Sequence, residues 1–339
     1  MKSSKTAVLL INVGTPDRPT VNAVRRYLFE FLNDRRVIDL PLVFQKILVN
    51  LIIVPFRAPK STKLYKRLWT DLGSPLLYIS EQVQEKLQEK LGLKANVLMA
   101  MRYGNPSIKL ALESIQKANY DRVVVLPMFP QYASSTNGTA IQAVFDGMRK
   151  WNTIPEIHAV NQFYDHPAFL DAFTARIKSY NPDRYDHIVF TYHGLPNRHL
   201  EKNHPEKSIE TCNCESSLPE FGKFCYKATC YQTTRELVKR LGLQKDHYSV
   251  SFQSRLSKNW MTPFTDENLI KLAKQGNKKV LVVAPAFVAD CLETTVEIGW
   301  EYKELFLENG GEELQMVDSL NDSPVWIDAL EELISPYLA

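Results

Sequence analysis

The chain has no stripe of lysine and arginine interleaved with aromatics, and its 41 basic residues against 38 acidic ones leave a net charge of only +3. Nucleic-acid binding is therefore excluded as its main task. A glycine-rich phosphate loop is also missing: Gly14 opens no G-x-G-x-x-G, so no nucleotide cofactor is expected. The opening Met1-Lys2-Ser3-Ser4-Lys5 enters a strand-like run too short for a signal peptide and without a small-residue cleavage site, which sets a cytoplasmic expectation. No apolar run reaches the roughly 20 residues that a spanning helix needs. The nearest, Val43 to Phe56, is broken by Lys46 and Asn50, ends at Pro55, and is followed by Arg57 and Lys60. It is not expected to span, and by itself it reads equally as a core helix or an apolar lip.

What is present is an alternation of apolar runs and helical patterns along 339 residues, 45% of them hydrophobic and 23% charged. That length buries a large core and suits two domains. Strand-like runs lie at 6–12, 96–100, 122–128, 187–192, 248–252 and 279–284. Helices are expected from an N-cap at Thr20 to Leu32, near 78–91 and near 107–118. The alternation reads as βαβ units with parallel sheets. The halves also echo one another. Leu10-Ile11-Asn12-Val13-Gly14-Thr15-Pro16 resembles Phe190-Thr191-Tyr192-His193-Gly194-Leu195-Pro196, and Val125-Leu126-Pro127-Met128-Phe129 resembles Val283-Ala284-Pro285-Ala286-Phe287. On the second echo Ser135 takes the place of Glu293, so carboxylate chemistry is expected in the second half only.

Two segments carry that chemistry. After the run Val280–Phe287, a helix through Asp290-Cys291-Leu292-Glu293-Thr294-Thr295-Val296-Glu297 would put Glu293, Glu297, Glu301, Glu304 and Glu308 on one face, with Leu292, Val296 and Leu305 turned to the core. Glu301, Glu304 and Glu308 read as a solvated face. Glu293 and Glu297 fall where open α/β sheets place their ligand crevice, at the first turn beyond a strand's carboxyl end. His193 ends the run His187–Tyr192 just before Gly194 and Pro196, and an imidazole there suits proton exchange near neutral pH. His158, His166, His187, His199, His204 and His247 receive a structural reading.

These residues resemble the ferrochelatase family. The resemblance is carried by Val8-Leu9-Leu10-Ile11-Asn12-Val13-Gly14-Thr15-Pro16-Asp17, Arg25-Arg26-Tyr27-Leu28, Asp34-Arg35-Arg36-Val37-Ile38-Asp39 and Gly73-Ser74-Pro75-Leu76. Further matches are Pro130-Gln131-Tyr132 with Ser134-Ser135-Thr136, His193-Gly194-Leu195-Pro196, Ser251-Phe252-Gln253-Ser254-Arg255 and Asp290-Cys291-Leu292-Glu293-Thr294. The resemblance implies insertion of ferrous iron into protoporphyrin IX to form protohaem. A coproporphyrin ferrochelatase, a cobalt chelatase, or a non-catalytic tetrapyrrole-binding protein are the alternatives. A two-lobed solute receptor would carry an export signal.

The implied fold is α/β: two similar Rossmann-like open parallel-sheet domains facing a cleft, as in class II chelatases. Domain limits are expected at 1–152, with the lip at about 41–60, and 153–321, with a cysteine insertion at about 205–230; helix 322–339 would pack back on the first domain. Catalytic work falls to His193 and Glu293, which also meet the substrate iron, with Glu297 and Asp290 as a proton or metal relay. Macrocycle and propionate contacts fall to Arg57, Tyr65, Ser74, Leu76, Arg102, Tyr103, Phe129 and Trp260. The lip is expected to touch a membrane surface in peripheral fashion, and the chain is a monomer or a homodimer. Cys291 stands where many relatives have a second histidine, and Phe129 where others carry tyrosine.

Four of the five cysteines, Cys212, Cys214, Cys225 and Cys230, share one window. In a cytosolic chain such clustering points to metal and not to disulfides. The spacing matches neither a zinc ribbon nor a plant-type ferredoxin loop. The resemblance implies a [2Fe-2S] cluster on these four, with free thiols second and zinc third.

Overall fold

In the computed structural model, which describes residues 5–204 and 212–338, every strand-like run of the sequence becomes a strand of one of two sheets. β1 (Thr6–Thr15), β2 (Asn96–Gly104), β3 (Arg122–Pro127) and β4 (Glu156–Ala159) form the first, in the order β2-β1-β3-β4. β5 (His187–His193), β6 (Tyr248–Gln253), β7 (Lys279–Val283) and β8 (Glu313–Met316) form the second, in the order β6-β5-β7-β8. All pairings are parallel, and the strand order is the same in both. The echoing segments therefore occupy equivalent places: β1 matches β5, and β3 matches β7.

Parallel strands joined by helical crossovers are covered on both faces, which is why the central strands are apolar without interruption. Ala7, Val8, Leu9 and Ile11 of β1 are 0% exposed, as are Val280, Leu281, Val282 and Val283 of β7. Each buried aliphatic side chain of this size stabilises the fold by about 1.5–3 kcal/mol. Helices Ile108–Ala118 and Thr139–Met148 close one face of the first sheet. Helices Thr265–Lys274 and Lys303–Glu308 do the same for the second. Thr20 caps helix Val21–Leu32 by accepting from the Ala23 N–H. Gly14 is required where β1 still pairs with β2 beside Tyr103: at φ +110°, a Cβ there would meet the Tyr103 carbonyl oxygen at 1.8 Å.

The chain divides into two units. One runs to Phe129, resumes over Ser134–Gln162 and includes the stretch from Asp322 on; the other holds Pro130–Ala133 and Phe163–Asn321. By contact the change of unit falls at residue 162, and the short Pro130–Ala133 segment goes with the second unit. Helix Pro324–Ile334 joins the first unit through Lys90 to Asp328 at 2.7 Å and Lys94 to Glu331 at 3.2 Å.

The apolar segment differs from its sequence reading. It is a continuous helix of 27 residues, Leu42–Leu68, and its most apolar stretch is only 22% buried. Neither Pro55 nor Pro59 ends it. Proline removes one helical hydrogen bond and crowds the preceding turn; the turn before Pro55 is a widened π-helical one, Leu48–Ile53, which accommodates the ring. The core-helix reading is overturned, because Leu42, Val43, Phe44, Ile47, Leu51, Ile52 and Phe56 are all exposed. By length and composition, it is the one helix among the described residues that is long and apolar enough to cross a membrane.

Candidate active site

In the second unit, β5 ends at His193, which pairs in register with Gln253, the last residue of β6. Gly194 follows because nothing larger fits: its N–H donates to the Gln253 carbonyl at 2.8 Å, and a Cβ would lie 2.9 Å from that oxygen and 3.5 Å from the Trp260 ring. The His193 Nδ1–H donates to the Gly194 carbonyl at 2.7 Å. A carbonyl cannot donate, so Nδ1 carries a proton in this bond, and of the two neutral tautomers it selects the one with the lone pair on Nε2. Trp260 stands beside the imidazole, ring centres 6.4 Å apart. It is held there by main-chain bonds that join Leu195 to Met261 and Asn197 to Asn259.

β7 lies next to β5, so the helix that leaves it starts at the same sheet edge. That helix, Leu292–Tyr302, is π-helical, with Cys291 as its N-cap in a reciprocal cap with Thr294. The core side is Thr294, Val296, Ile298 and Phe306; Leu292 and Leu305 are only half-buried. A widened turn changes which residues share a face, which is why the expected Leu292/Leu305 assignment fails while Val296 holds. Glu301, Glu304 and Glu308 are exposed.

The three acids at this edge are not alike. Glu297 accepts from the Ser254 N–H at 2.8 Å, the Tyr302 hydroxyl at 2.7 Å, the Gln253 side-chain amide at 3.3 Å and the Ser254 hydroxyl. Burial and the adjacent Glu297 charge push the Tyr302 hydroxyl far above its ordinary pKa, so it stays a donor. Asp290 accepts from Asn321 at 2.6 Å, Thr294 at 3.0 Å and the Ser319 N–H at 3.2 Å. Both carboxylates, expected as a relay, are thus occupied in fixing the helix to the surrounding loops. Among the described residues the one donor against the Glu293 side chain is the Cys291 thiol, which burial first and Glu293 second keep protonated. Gln253 links the halves of the site, since its amide also donates to the Glu293 carbonyl at 3.3 Å.

In the first unit Asp34 is the organising residue. It accepts from Arg102 at 2.7 Å, Tyr103 at 2.9 Å, the Arg36 N–H at 2.7 Å and the Thr139 hydroxyl. Burial works to raise its pKa, but the bonds from Thr139, Arg36 and Tyr103, with the Arg102 charge, outweigh it and hold the carboxyl below its ordinary value. Of the residues expected to touch the macrocycle, Tyr65, Ser74, Leu76 and Tyr103 are buried, 6%, 1%, 6% and 1% exposed. Ser74 is bonded to Thr15 and Tyr103 to Asp34, so they support the loops and present no free surface. Arg57 is exposed, and Arg102, Phe129 and Trp260 are half-buried.

The chain matches the family model described as Ferrochelatase over residues 5–338. A ferrochelatase of Coxiella burnetii (strain CbuG_Q212) is 43% identical over 98% of this chain and 93% of its own, and one of Legionella pneumophila (strain Lens) is 41% identical over 97% and 98%. The chain belongs to the ferrochelatase family. It is an enzyme that inserts iron into porphyrin for haem synthesis. Among solved structures, SirB from Bacillus subtilis with Fe3+ superposes with a TM-score of 0.55 at 11% identity, covering 99% of this chain and 96% of that one. A sirohydrochlorin chelatase SirB with cobalt gives 0.54 at 10% identity, over 98% and 94%. The ferrochelatase chain thus has the two-domain α/β chelatase fold.

The cysteines are arranged otherwise than expected. Among the described residues His204, Cys214 and Cys225 form a group whose ligand atoms all lie within 4.8 Å of one another, while Cys212 is joined to Cys214 by a disulfide. Cys230 is outside this group: it is fully buried against Tyr226 and Tyr192, and that burial holds its thiol well above its ordinary pKa. The three-residue group could hold a metal ion, with Cys230 set apart from it. Residues 205–211 of the expected insertion lie outside the described residues. His204 was missed because a single histidine ahead of the cysteine window carries no spacing signal. Gln253, Ser254, Tyr302 and Asp34 were missed because amide, hydroxyl and lone carboxylate side chains are common in every role.

Proposed function

We propose that this ferrochelatase uses protoporphyrin IX and ferrous iron, with His193 and Glu293 as the reacting pair. The free-base macrocycle carries two N–H protons, and the hydrated dication must lose water; insertion yields the metalloporphyrin and two protons. His193 Nε2 accepts a pyrrole proton, since Nδ1 is already committed to the Gly194 carbonyl. Glu293 receives a proton or meets the iron, being the carboxylate left unspent at the same sheet edge. Glu297 and Asp290 act by holding the Glu293 helix in place. The observation that carries this reading is the His193–Gly194 bond, which commits Nδ1 at the end of β5 and leaves Nε2 for the substrate's proton. Arg57 and Arg102 are the cations for the propionates, and Phe129 and Trp260 the apolar contacts. No electron moves in this reaction, so a [2Fe-2S] centre on Cys212, Cys214, Cys225 and Cys230 would serve the structure of the domain and take no electron in the insertion step.

The enzyme is proposed to work in the cytoplasm with helix Leu42–Leu68 lying on a membrane surface. The support is its row of seven exposed large apolar side chains beside Lys46, Arg57 and Lys60, the pattern of an interfacial helix. Anaerobic incubation with ferrous iron and either protoporphyrin IX or coproporphyrin III, followed by absorbance, tests the substrate. Faster turnover of coproporphyrin would overturn that choice. Flotation with anionic vesicles, with Leu51→Glu/Phe56→Glu as the comparison, tests the surface contact, and equal flotation of both would overturn it.

A further inference from the structure

A chain of buried polar side chains lies against the end of β5. Thr191 follows the apolar run Ile188-Val189-Phe190 and is 0% exposed; Ser251 and Thr265 are 0% exposed as well, and Gln253 is 1%. The Thr191 hydroxyl lies 3.2 Å from Gln253 Oε1 and 2.8 Å from Thr265 Oγ1, which in turn lies 3.0 Å from Ser251 Oγ. The other end of the Gln253 amide donates to the Glu293 carbonyl and to the Glu297 carboxylate, each at 3.3 Å. Both of those partners are acceptors, so they demand the N–H2 and turn Oε1 toward Thr191. An amide oxygen cannot donate, so the single proton of Thr191 is committed to it, and Thr265 supplies the proton between the two threonines. Packing alone does not ask for these hydroxyls. In the echo of the two halves Ile11 of β1 takes the place of Thr191, and its register partner Ala100 takes that of Ser251. Both are 0% exposed, so the first sheet fills the same positions with apolar side chains, and it has Ser135 where the second half has Glu293. The hydroxyls accompany the carboxylate.

We infer that Thr191 is a positioning residue for iron insertion: it fixes the amide of Gln253, and Gln253 holds the first turn of the Glu293 helix at a set distance from His193. The inference rests on the reading of His193 and Glu293 as the reacting pair. Gln253 is the register partner of His193, and its main-chain carbonyl accepts from the Gly194 N–H. One residue therefore touches the strand end through its backbone and the helix through its side chain. Without a donor on Thr191, Oε1 would be orphaned where water has no access, and the amide would leave its place to find a partner. The N–H2 moves with it, and the Glu293 carbonyl loses its tether. Thr191 is fully buried and touches no substrate, so its loss acts on the rate and not on binding.

Anaerobic insertion of ferrous iron into protoporphyrin IX by the full-length enzyme is the assay. Thr191→Val keeps the volume and removes the donor; its kcat should fall roughly 10- to 100-fold, as misplacement by about 1 Å does, with KM for both substrates within about twofold of native. Thr191→Ser restores the hydroxyl and should bring kcat back to within about twofold. Measured on the residual activity of Glu293→Gln, Thr191→Val should cost nothing further, because the group that it positions is already gone. Native kcat in Thr191→Val, a Thr191→Ser enzyme as slow as Thr191→Val, or losses that multiply in the double variant would overturn the inference. If Glu293→Gln inserts iron at the native rate, the reacting pair falls and the inference with it. If Glu293→Gln is crippled and Thr191→Val is native, only the inference falls. Should Thr191→Val fail to fold, Gln253→Met decides, since it removes the amide and leaves Thr191 free to donate to Thr265. It should lower kcat at unchanged KM, and a native kcat would overturn the inference.

Discussion

The main-chain N–H of Ser254 donates to the carboxylate of Glu297 at 2.8 Å, across 43 positions of sequence. That bond joins the end of β6 to the helix carrying Glu293, and it turns one of two neighbouring acids into a fastening. Glu293 and Glu297 look interchangeable as text, yet only one retains a carboxylate free of strong donors.

Replacement of each acid should therefore fail differently. Glu297→Gln sets an amide N–H2 against donors from Ser254, Gln253 and Tyr302, and leaving such groups mispaired costs about 1–3 kcal/mol. Thermal unfolding of Glu297→Gln should shift down accordingly. Glu293→Gln should keep the native midpoint and lose iron insertion by at least about 100-fold. Glu304→Gln, on the exposed part of the helix, should be silent in both assays. A Glu293→Gln enzyme with native turnover would remove Glu293 from the reaction.

His193→Ala should reduce insertion to near background while porphyrin binding, followed by fluorescence quenching, persists. Added imidazole should restore part of the rate, because the lost function is a lone pair in a defined place. A variant that inserts iron normally would refute the base assignment.

Gly194→Ala tests the fit of the strand end. The added methyl has the Gln253 carbonyl at 2.9 Å and the Trp260 ring at 3.5 Å, and relief by backbone movement costs about 1–3 kcal/mol. The expected result is a lower urea midpoint together with a raised KM, since Trp260 is displaced. An unchanged midpoint would mean that β5 and β6 separate more easily than their pairing implies.

His187 supplies a pH dependence of stability. Burial, then the nearby His247, holds its pKa down to about 4 against an ordinary 6.5. The unfolded chain thus binds this proton more readily than the folded one. The stability it contributes is whole above pH 6.5 and is lost as pH falls toward 4. Urea midpoints of the native chain should decline through that window more steeply than those of His187→Gln. Parallel curves would show that His187 titrates normally.

The sheets were readable in the sequence because uninterrupted apolar runs of Val, Ile and Leu have few other uses. His193 at a strand end and Glu293 past another followed from the same punctuation. β4 and β8 escaped: Glu156-Ile157-His158-Ala159 and Glu313-Leu314-Gln315-Met316 are four-residue edges, shaped by pairing with β3 and β7 and not by their own pattern. The π-helical stretches at Leu48–Ile53 and Leu292–Tyr302 escaped too, since a periodicity of 3.6 assumes the turn that these segments lack. The partners of Glu297 and Asp290 lie at least 29 positions away in five of their contacts, and no local pattern announces them.

The repeated strand order has one more consequence. In the first sheet the passage from β1 to β2 contains the exposed helix Leu42–Leu68; in the second the passage from β5 to β6 contains His204 and the cysteines. Both ornaments of the molecule hang from the same crossover of a twice-used plan. That crossover is where this architecture accepts new parts, because its ends are anchored in a central strand and its neighbour while its middle faces no other strand. A foreign segment spliced there would inherit a ready frame, and the sheets would scarcely register its arrival.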